Sequence, residues 1–339
     1  GHDLVVTTSS GSLGNLIDQG DGTYTALITS STLAGTATIE GVIEGERIPQ
    51  GTISFLAGPA SGVLTSLDAM PSVLVANGRS TSLITLRAVD VHGNSLVSGG
   101  DSVFLESSLG SLGAVTDNGD GTYSTILTAA TQSGVATITG TINGSAISSD
   151  TKVTFSAGMV SGATSTLTAT SPSLAADGRS RSTILIQAKD GSGNVLDYGH
   201  DKIDLETTLG TLSQVTDNFN GTYQATFTAG IEPGIAIISG SIRGDPFGES
   251  ATIVLTHVLA SGATTTFSGD PLSIPADGKS VSSILIQARD SEGFNLGVGG
   301  DVVALSASSG TLGDVVDHKD GTYSAQLTAD TLAGSATLT

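Results

Sequence analysis

The residues best suited to chemistry in this chain are carboxylates, and they stand in a turn that is written four times. Asp117-Asn118-Gly119-Asp120-Gly121-Thr122-Tyr123 is repeated at Asp18–Tyr24, at Asp217–Tyr223 (with Asn220 for the second Asp) and at Asp317–Tyr323. Clustered oxygen donors of this kind are calcium chemistry when they alternate along the loop and a Glu follows. Here the spacing is Asp-x-x-Asp/Asn-Gly, Lys319 sits inside the fourth copy, and no Glu arrives. Asp, Asn and Gly in that order are what a tight turn entering a strand requires. Two further recurrent acids, Asp90/Asp190/Asp290 and Asp101/Asp201/Asp301, are expected to cap turns through side-chain-to-backbone hydrogen bonds.

Other chemistries lack a partner. Histidines stand at 2, 92, 200, 257 and 318, and only Gly1-His2 and Gly199-His200 look equivalent, with no orienting group beside either. No Gly-x-Ser-x-Gly elbow lies between a strand and a helix. A Lys–Asn isopeptide staple would need a lysine at a fixed core position, but Lys152, Lys189, Lys202, Lys279 and Lys319 occupy five different ones. Phe219, Phe247, Phe294 and Tyr198 are not shared between copies, so no aromatic platform for sugar or single-stranded nucleic acid is legible. The sequence assigns no catalytic, cofactor-binding or metal-ligating residue and no cofactor, and indicates no enzyme.

The totals narrow the partners. With 12 basic against 32 acidic residues and a net charge of −20, the chain is a poor match for nucleic acid or an anionic membrane. The absence of Cys excludes disulfides, thiol catalysis and Cys-type zinc sites. No run approaches the ~18 apolar residues of a membrane span. Gly1-His2-Asp3 carries neither an initiator Met nor a signal peptide, so the chain reads as part of a longer one.

What must position these residues is a repeat of about 100 residues, since Tyr24, Tyr123, Tyr223 and Tyr323 keep phase with the turn. Matching Asp3 to Asp101, Asp201 and Asp301 implies a one-residue deletion between that Asp and Tyr24 in the first copy. The third copy shows the local pattern best. Ile184, Ile186 and Ala188 alternate with Leu185, Gln187 and Lys189, and Tyr223, Ala225 and Phe227 with Gln224 and Thr226. Ala236, Ile238, Gly240 and Ile242 alternate with Ile237, Ser239 and Ser241. Such period-2 runs between Gly, Asp, Asn and Pro predict half-buried antiparallel strands. About seven of them per 100 residues predict immunoglobulin-like β-sandwiches, all-β and in tandem, arranged as an elongated rod. The expected domains are 1–57 (the C-terminal part of a sandwich), 58–157, 158–257, and 258–339, which lacks its last strand. Met159, Val160, Val258 and Leu259 are apolar residues at joins and are expected to pack between neighbours.

The string Ala276-Asp277-Gly278-Lys279-Ser280, then Ile284 to Asp290, Gly299-Gly300-Asp301, Gly310-Thr311-Leu312-Gly313, Asp317 to Tyr323 and Ala333-Gly334-Ser335-Ala336-Thr337 resembles the bacterial immunoglobulin-like domains of the invasin/intimin group, nearest the invasin third-domain type. Equivalents at Ala76–Ser80 and Ala176–Ser180 extend the resemblance over the whole chain. It implies a stalk segment of a bacterial cell-surface adhesin, outer-membrane-anchored or secreted, holding a binding tip away from the cell. The implied partners are neighbouring domains of the same longer chain or like subunits, with a host or surface receptor engaged by a tip that has no counterpart here. No nucleic acid is implied, nor membrane insertion by this segment. A subunit of a self-assembling filament or surface layer is the first alternative, and a carbohydrate-binding accessory module the second. The four repeat tyrosines are expected to be buried at equivalent places.

Overall fold

A computed structural model describes residues 1–339, which are all-β and fall into two compact units, 1–158 and 159–339. In the first unit the second repeat is complete. One sheet runs Ser111–Leu112, Thr122–Thr128, Thr81–Arg87, Ser66–Met70, with Thr116–Asp117 added beside the Tyr strand. The other runs Val103–Ser107, Gly134–Ile142, Thr151–Ser156, Val73–Val75, with Ser145–Ala146 added. The last pairing in that sheet, Val73–Val75 on Thr154–Ser156, is parallel, so the opening segment changes sheets after Met70.

Register follows from the alternation. Leu86 stands opposite Tyr123, Ile84 opposite Thr125 and Ser82 opposite Leu127. Directly opposed residues in an antiparallel pair share a face, and all six are buried. Slipping by one residue would turn Leu83, Thr85 and Arg87 inward instead. From the facing sheet Leu105, Ile138, Ile142, Val153 and Phe155 join the same core. This is the immunoglobulin-like sandwich that the strand count implies.

The first repeat has one three-stranded sheet, Leu4–Thr8, Gly35–Ile43 and Glu46–Phe55, beside two short ladders. No strand stands on Tyr24 where Thr81–Arg87 stands on Tyr123. Tyr24 is therefore only half-buried, unlike Tyr123, Tyr223 and Tyr323 at 1% exposure. Val5, which holds the outward-facing place of Phe104, is 56% exposed as Phe104 is at 62%.

Register also relocates the expected deletion. Leu4 pairs Ile43 as Val103 pairs Ile142, so His2, and not Asp3, occupies the place of Asp101. His2 consequently has no counterpart in His200, whose place falls to Gly1. The missing residue lies instead in the closing hairpin. There Gly35 faces Phe55 and Ile43 faces Glu46 with a register shift between, and the second repeat reaches the same ends through Ser145–Ala146 and Thr151–Ser156.

In the second unit the third repeat repeats the two-sheet pattern. Val160–Ala169, Arg181–Asp190, Thr222–Thr228 and Thr211–Leu212 form one sheet, and Ser173–Ala175, Ala251–Thr256, Gly234–Ile242 and Ile203–Thr207 the other. The fourth repeat has its first sheet, Thr266–Asp270, Val281–Gln287, Thr322–Thr328 and Thr311–Leu312. Opposite it stands a bridge between Ala307 and Leu338. Of the apolar residues at the joins, Met159 and Leu259 face solvent at 77% and 73% exposure, contrary to the expected packing. Val258 packs on the fourth repeat's core. A short join has no second apolar layer to close over both residues of a pair, so one of them faces water.

Candidate functional site

The acidic turn sits at the end of each sandwich where the Tyr strand begins, and its carboxylates are engaged by backbone. Asp117 Oδ1 accepts the Gly119 N–H at 2.9 Å and Oδ2 accepts the Gly100 N–H at 2.7 Å. Asp217 takes Phe219 and His200 in the same way, at 2.7 and 2.6 Å, and Asp317 takes Lys319 and Gly300, at 2.8 and 3.0 Å. Asp120 Oδ1 accepts both the N–H and the hydroxyl of Thr122, at 3.0 and 2.6 Å. The Thr122 hydroxyl, then its N–H, hold the Asp120 carboxyl below the usual range. The Lys319 N–H does the same to Asp317, with the Lys319 ammonium at 3.2 Å adding its charge.

The buried tyrosines close this end. Tyr123 Oη accepts the Asp101 N–H at 2.9 Å, and Tyr223 and Tyr323 accept from Asp201 and Asp301 at 3.1 and 2.9 Å. Burial pushes the Tyr123 phenol up, and the Asp101 and Asp117 carboxylates push it further. In the first repeat the Tyr24 hydroxyl accepts from His2 N–H at 2.7 Å, which confirms the shifted equivalence. Glycine is required close by. A Cβ on Gly121, at φ +81°, would lie 2.1 Å from the Leu96 carbonyl oxygen, and one on Gly99 would lie 2.0 Å from Asp117 Oδ1.

The second recurrent acid closes the strand before the loop at residues 90–97. Asp90 Oδ1 accepts the N–H groups of His92 and Asn94 at 2.8 and 2.9 Å. Its Oδ2 accepts the Gly58 N–H at 2.9 Å and the Asn94 side-chain amide at 2.8 Å. Asp190 repeats the pattern with Ser192 and Asn194. The Asn94 amide, joined by the N–H groups of Gly58, Asn94 and His92, holds the Asp90 carboxyl far below the carboxylate range. These carboxylates are loop braces, and their lone pairs point at the protein's own backbone.

All five histidines are exposed. The aromatics that the sequence leaves scattered are partly gathered: the His200 and Phe219 rings lie 5.2 Å apart, while Tyr198 lines an adjoining depression with Asp201, Lys202 and Arg243. Phe294 stands elsewhere, under the guanidinium of Arg179 with 3.6 Å from Cζ to the ring centroid. That pairing was not legible in the separate sequence segments. Its one signal is that a basic residue recurs at Arg79, Arg179 and Lys279 while Phe294 replaces Asn94 and Asn194.

A family model described as invasin, domain 3, matches residues 63–158, 161–258 and 261–339. Among solved structures, the Escherichia coli adhesin FdeC is 22% identical over 84% of this chain and 94% of its own, with a TM-score of 0.53. Invasin, a bacterial integrin-binding protein, is 24% identical over 96% of this chain and 66% of its own, with a TM-score of 0.48. InvD of Yersinia pseudotuberculosis is 24% identical over 82% and 83%, with a TM-score of 0.47. The likeness to FdeC is one of fold.

Proposed function

The chain belongs to the invasin domain 3 family, and we propose that it is a stalk segment of a bacterial cell-surface adhesin, a non-enzymatic spacer that carries a binding tip away from the cell. The observation that carries this reading is where the recurrent polar groups go. Asp117 and Asp120 with their repeats, Asp90 and Asp190, and the tyrosine hydroxyls bond to backbone or side chains of the same sandwich, and Asp290 alone of this set also takes a neighbour's Arg179. A repeat whose shared polar residues hold its own loops is selected for geometry, and no shared surface chemistry is left over for a common ligand. Sandwiches bounded near residues 57, 157 and 257, joined by a few residues each, transmit position from one to the next. A strand of about 8–10 residues at ~3.3 Å per residue, with end loops, gives roughly 35–45 Å of reach per repeat. The location that goes with this role is the bacterial surface, with receptor contact made by another part of the protein.

The test is small-angle scattering of the whole chain and of a chain lacking residues 159–258. Deleting one repeat from a spacer shortens the maximum dimension by about 35–45 Å. A change of less than half that would remove the spacer reading. In the producing bacterium, antibody against the repeats should label intact cells, and labelling only after lysis would exclude a surface role.

A further inference from the structure

Repeats built to one plan invite the assumption that their seams are alike. Within 159–339 the seam between the third and fourth repeats joins two recurrent residues, Arg179 and Asp290, to four that the other copies do not have. Arg179 stands in a turn braced by Asp177, whose Oδ1 accepts the N–H groups of Arg179 and Ser180 at 2.9 and 2.7 Å. Its guanidinium crosses to the fourth repeat. One Nη donates to Asp290 Oδ2 at 2.5 Å and to Glu292 Oε2 at 3.2 Å, and the plane lies over the Phe294 ring. Beside it Ile231 covers Gly297 so closely that a Cβ there would meet the Ile231 Cδ1 at 3.2 Å.

Arg179 and Asp290 have equivalents in other copies, but Ile231, Glu292, Phe294 and Gly297 are each the odd one out at their repeat positions. Where Ile231 stands, the other copies have Thr32, Thr131 and Thr331. Glu292 answers to His92 and Ser192, Phe294 to Asn94 and Asn194, and Gly297 to Val97 and Asp197. The replacements also explain one another. In the second and third repeats the Asn94 and Asn194 amides fill Oδ2 of the preceding Asp. Phe294 has no amide to give, so Oδ2 of Asp290 is open to Arg179, and the ring that removed the donor supplies the face on which the cation rests. Gly297 makes room for the branched side chain that replaces Thr. Within 1–158 the corresponding seam uses a neutral device: Asn94 Nδ2 donates to the Thr32 carbonyl at 2.8 Å, and Asn94 Oδ1 accepts the Ala34 N–H at 2.8 Å.

We propose that the start of the fourth repeat is a specific docking surface for its neighbour, in which Asp290, Glu292, Phe294 and Gly297 recognise a repeat presenting an arginine turn and a branched aliphatic residue. The repeats are thus keyed to their order in the chain. The third–fourth joint is held by an ionic and cation–π latch, and the first–second joint by amide hydrogen bonds. Because Arg179 and Glu292 are partly exposed, salt screens this latch. The bonds that cross the amide joint, Asn94 to Thr32 and Ala34, are neutral, so salt screens them little.

The absence of native cysteine makes the test clean. Spin labels on Gln214→Cys and Gln326→Cys, both exposed positions, report the third–fourth distance in the whole chain. The expected result is a narrow distribution that broadens several-fold in Arg179→Ala, and likewise in the unsubstituted latch at molar salt. Phe294→Asn, which restores the residue two other repeats use and so preserves the fold, should broaden it as well. Labels across the Asn94 joint should be indifferent to salt. Distributions unchanged by both Arg179→Ala and Phe294→Asn would overturn the proposal, as would equal salt responses at the two joints.

Discussion

Removing the Tyr223 side chain tests whether these tyrosines hold their sandwiches together. Tyr223 is 1% exposed, stands opposite Ile186 across the strand pair, and accepts the Asp201 N–H at 3.1 Å. Truncating a fully buried aromatic costs ~3–5 kcal/mol. Leaving the Asp201 N–H without its acceptor adds about 1 kcal/mol, the low end of the range because Asp201 is only half-buried. Against the ~5–15 kcal/mol that stabilises a typical domain, Tyr223→Ala removes a large share. Amide hydrogen exchange on the whole chain reads this locally. At about tenfold per 1.4 kcal/mol, the amides of Arg181–Asp190 and Thr222–Thr228 should exchange at least ~100-fold faster. Thr81–Arg87 and Thr122–Thr128 in the second repeat provide the unperturbed reference. Tyr223→Phe keeps the ring and loses only the hydrogen bond, about 0.5–1.5 kcal/mol, so it should stay within about tenfold. Tyr24→Ala should cost less than Tyr223→Ala, because Tyr24 is half-buried with no strand over it. An effect of Tyr223→Ala below about tenfold, or equal to that of Tyr223→Phe, would refute the reasoning.

Other outcomes follow from the same geometry. Gly121→Ala drives a Cβ into the Leu96 carbonyl, whereas Gly119→Ala meets nothing within 4 Å and only its φ of +78° resists. Gly119→Ala should therefore cost about 1–2 kcal/mol and Gly121→Ala clearly more, a ranking that thermal melts of the two variants decide. Phe219 and Lys319 already occupy the Gly119 place at φ 61° and 67°, so a reversed ranking would be hard to reconcile with the fold. The Asp90 carboxyl is held below its ordinary value of 3.8, so the stability it confers is complete above that pH and is lost as pH falls through the lower native value. The melting-temperature gap between the native chain and Asp90→Asn should accordingly be open at neutral pH and close on acidification below 3.8. A gap independent of pH would contradict it. Chelator should leave the melting temperature within about 4 °C, equivalent to under ~1 kcal/mol, because the turn carboxylates are occupied by N–H donors. A larger fall would mean that a cation holds the turns.

The sequence alone was enough to determine the sandwich, because period-2 alternation records which side of each strand meets the core. Ile184, Ile186, Ala188, Tyr223, Ala225 and Phe227 all lie inside, and the in-phase Asp-Gly-Thr-Tyr turns fix how often the unit recurs. What alternation cannot carry is anything set by pairing between distant strands. The match of Asp3 to Asp101 was a match of letters, and only the ladder from Leu4 to Ile43 placed His2 there and moved the missing residue to the closing hairpin. Tyr24 shares every local feature with Tyr123, yet its burial depends on a strand across the sheet. The Arg179 latch joins residues more than a hundred positions apart. Ile231, Glu292, Phe294 and Gly297 look like unrelated departures from the repeat until folding sets them face to face. Local pattern is written in neighbouring residues; which surfaces meet is decided by the path of the whole chain.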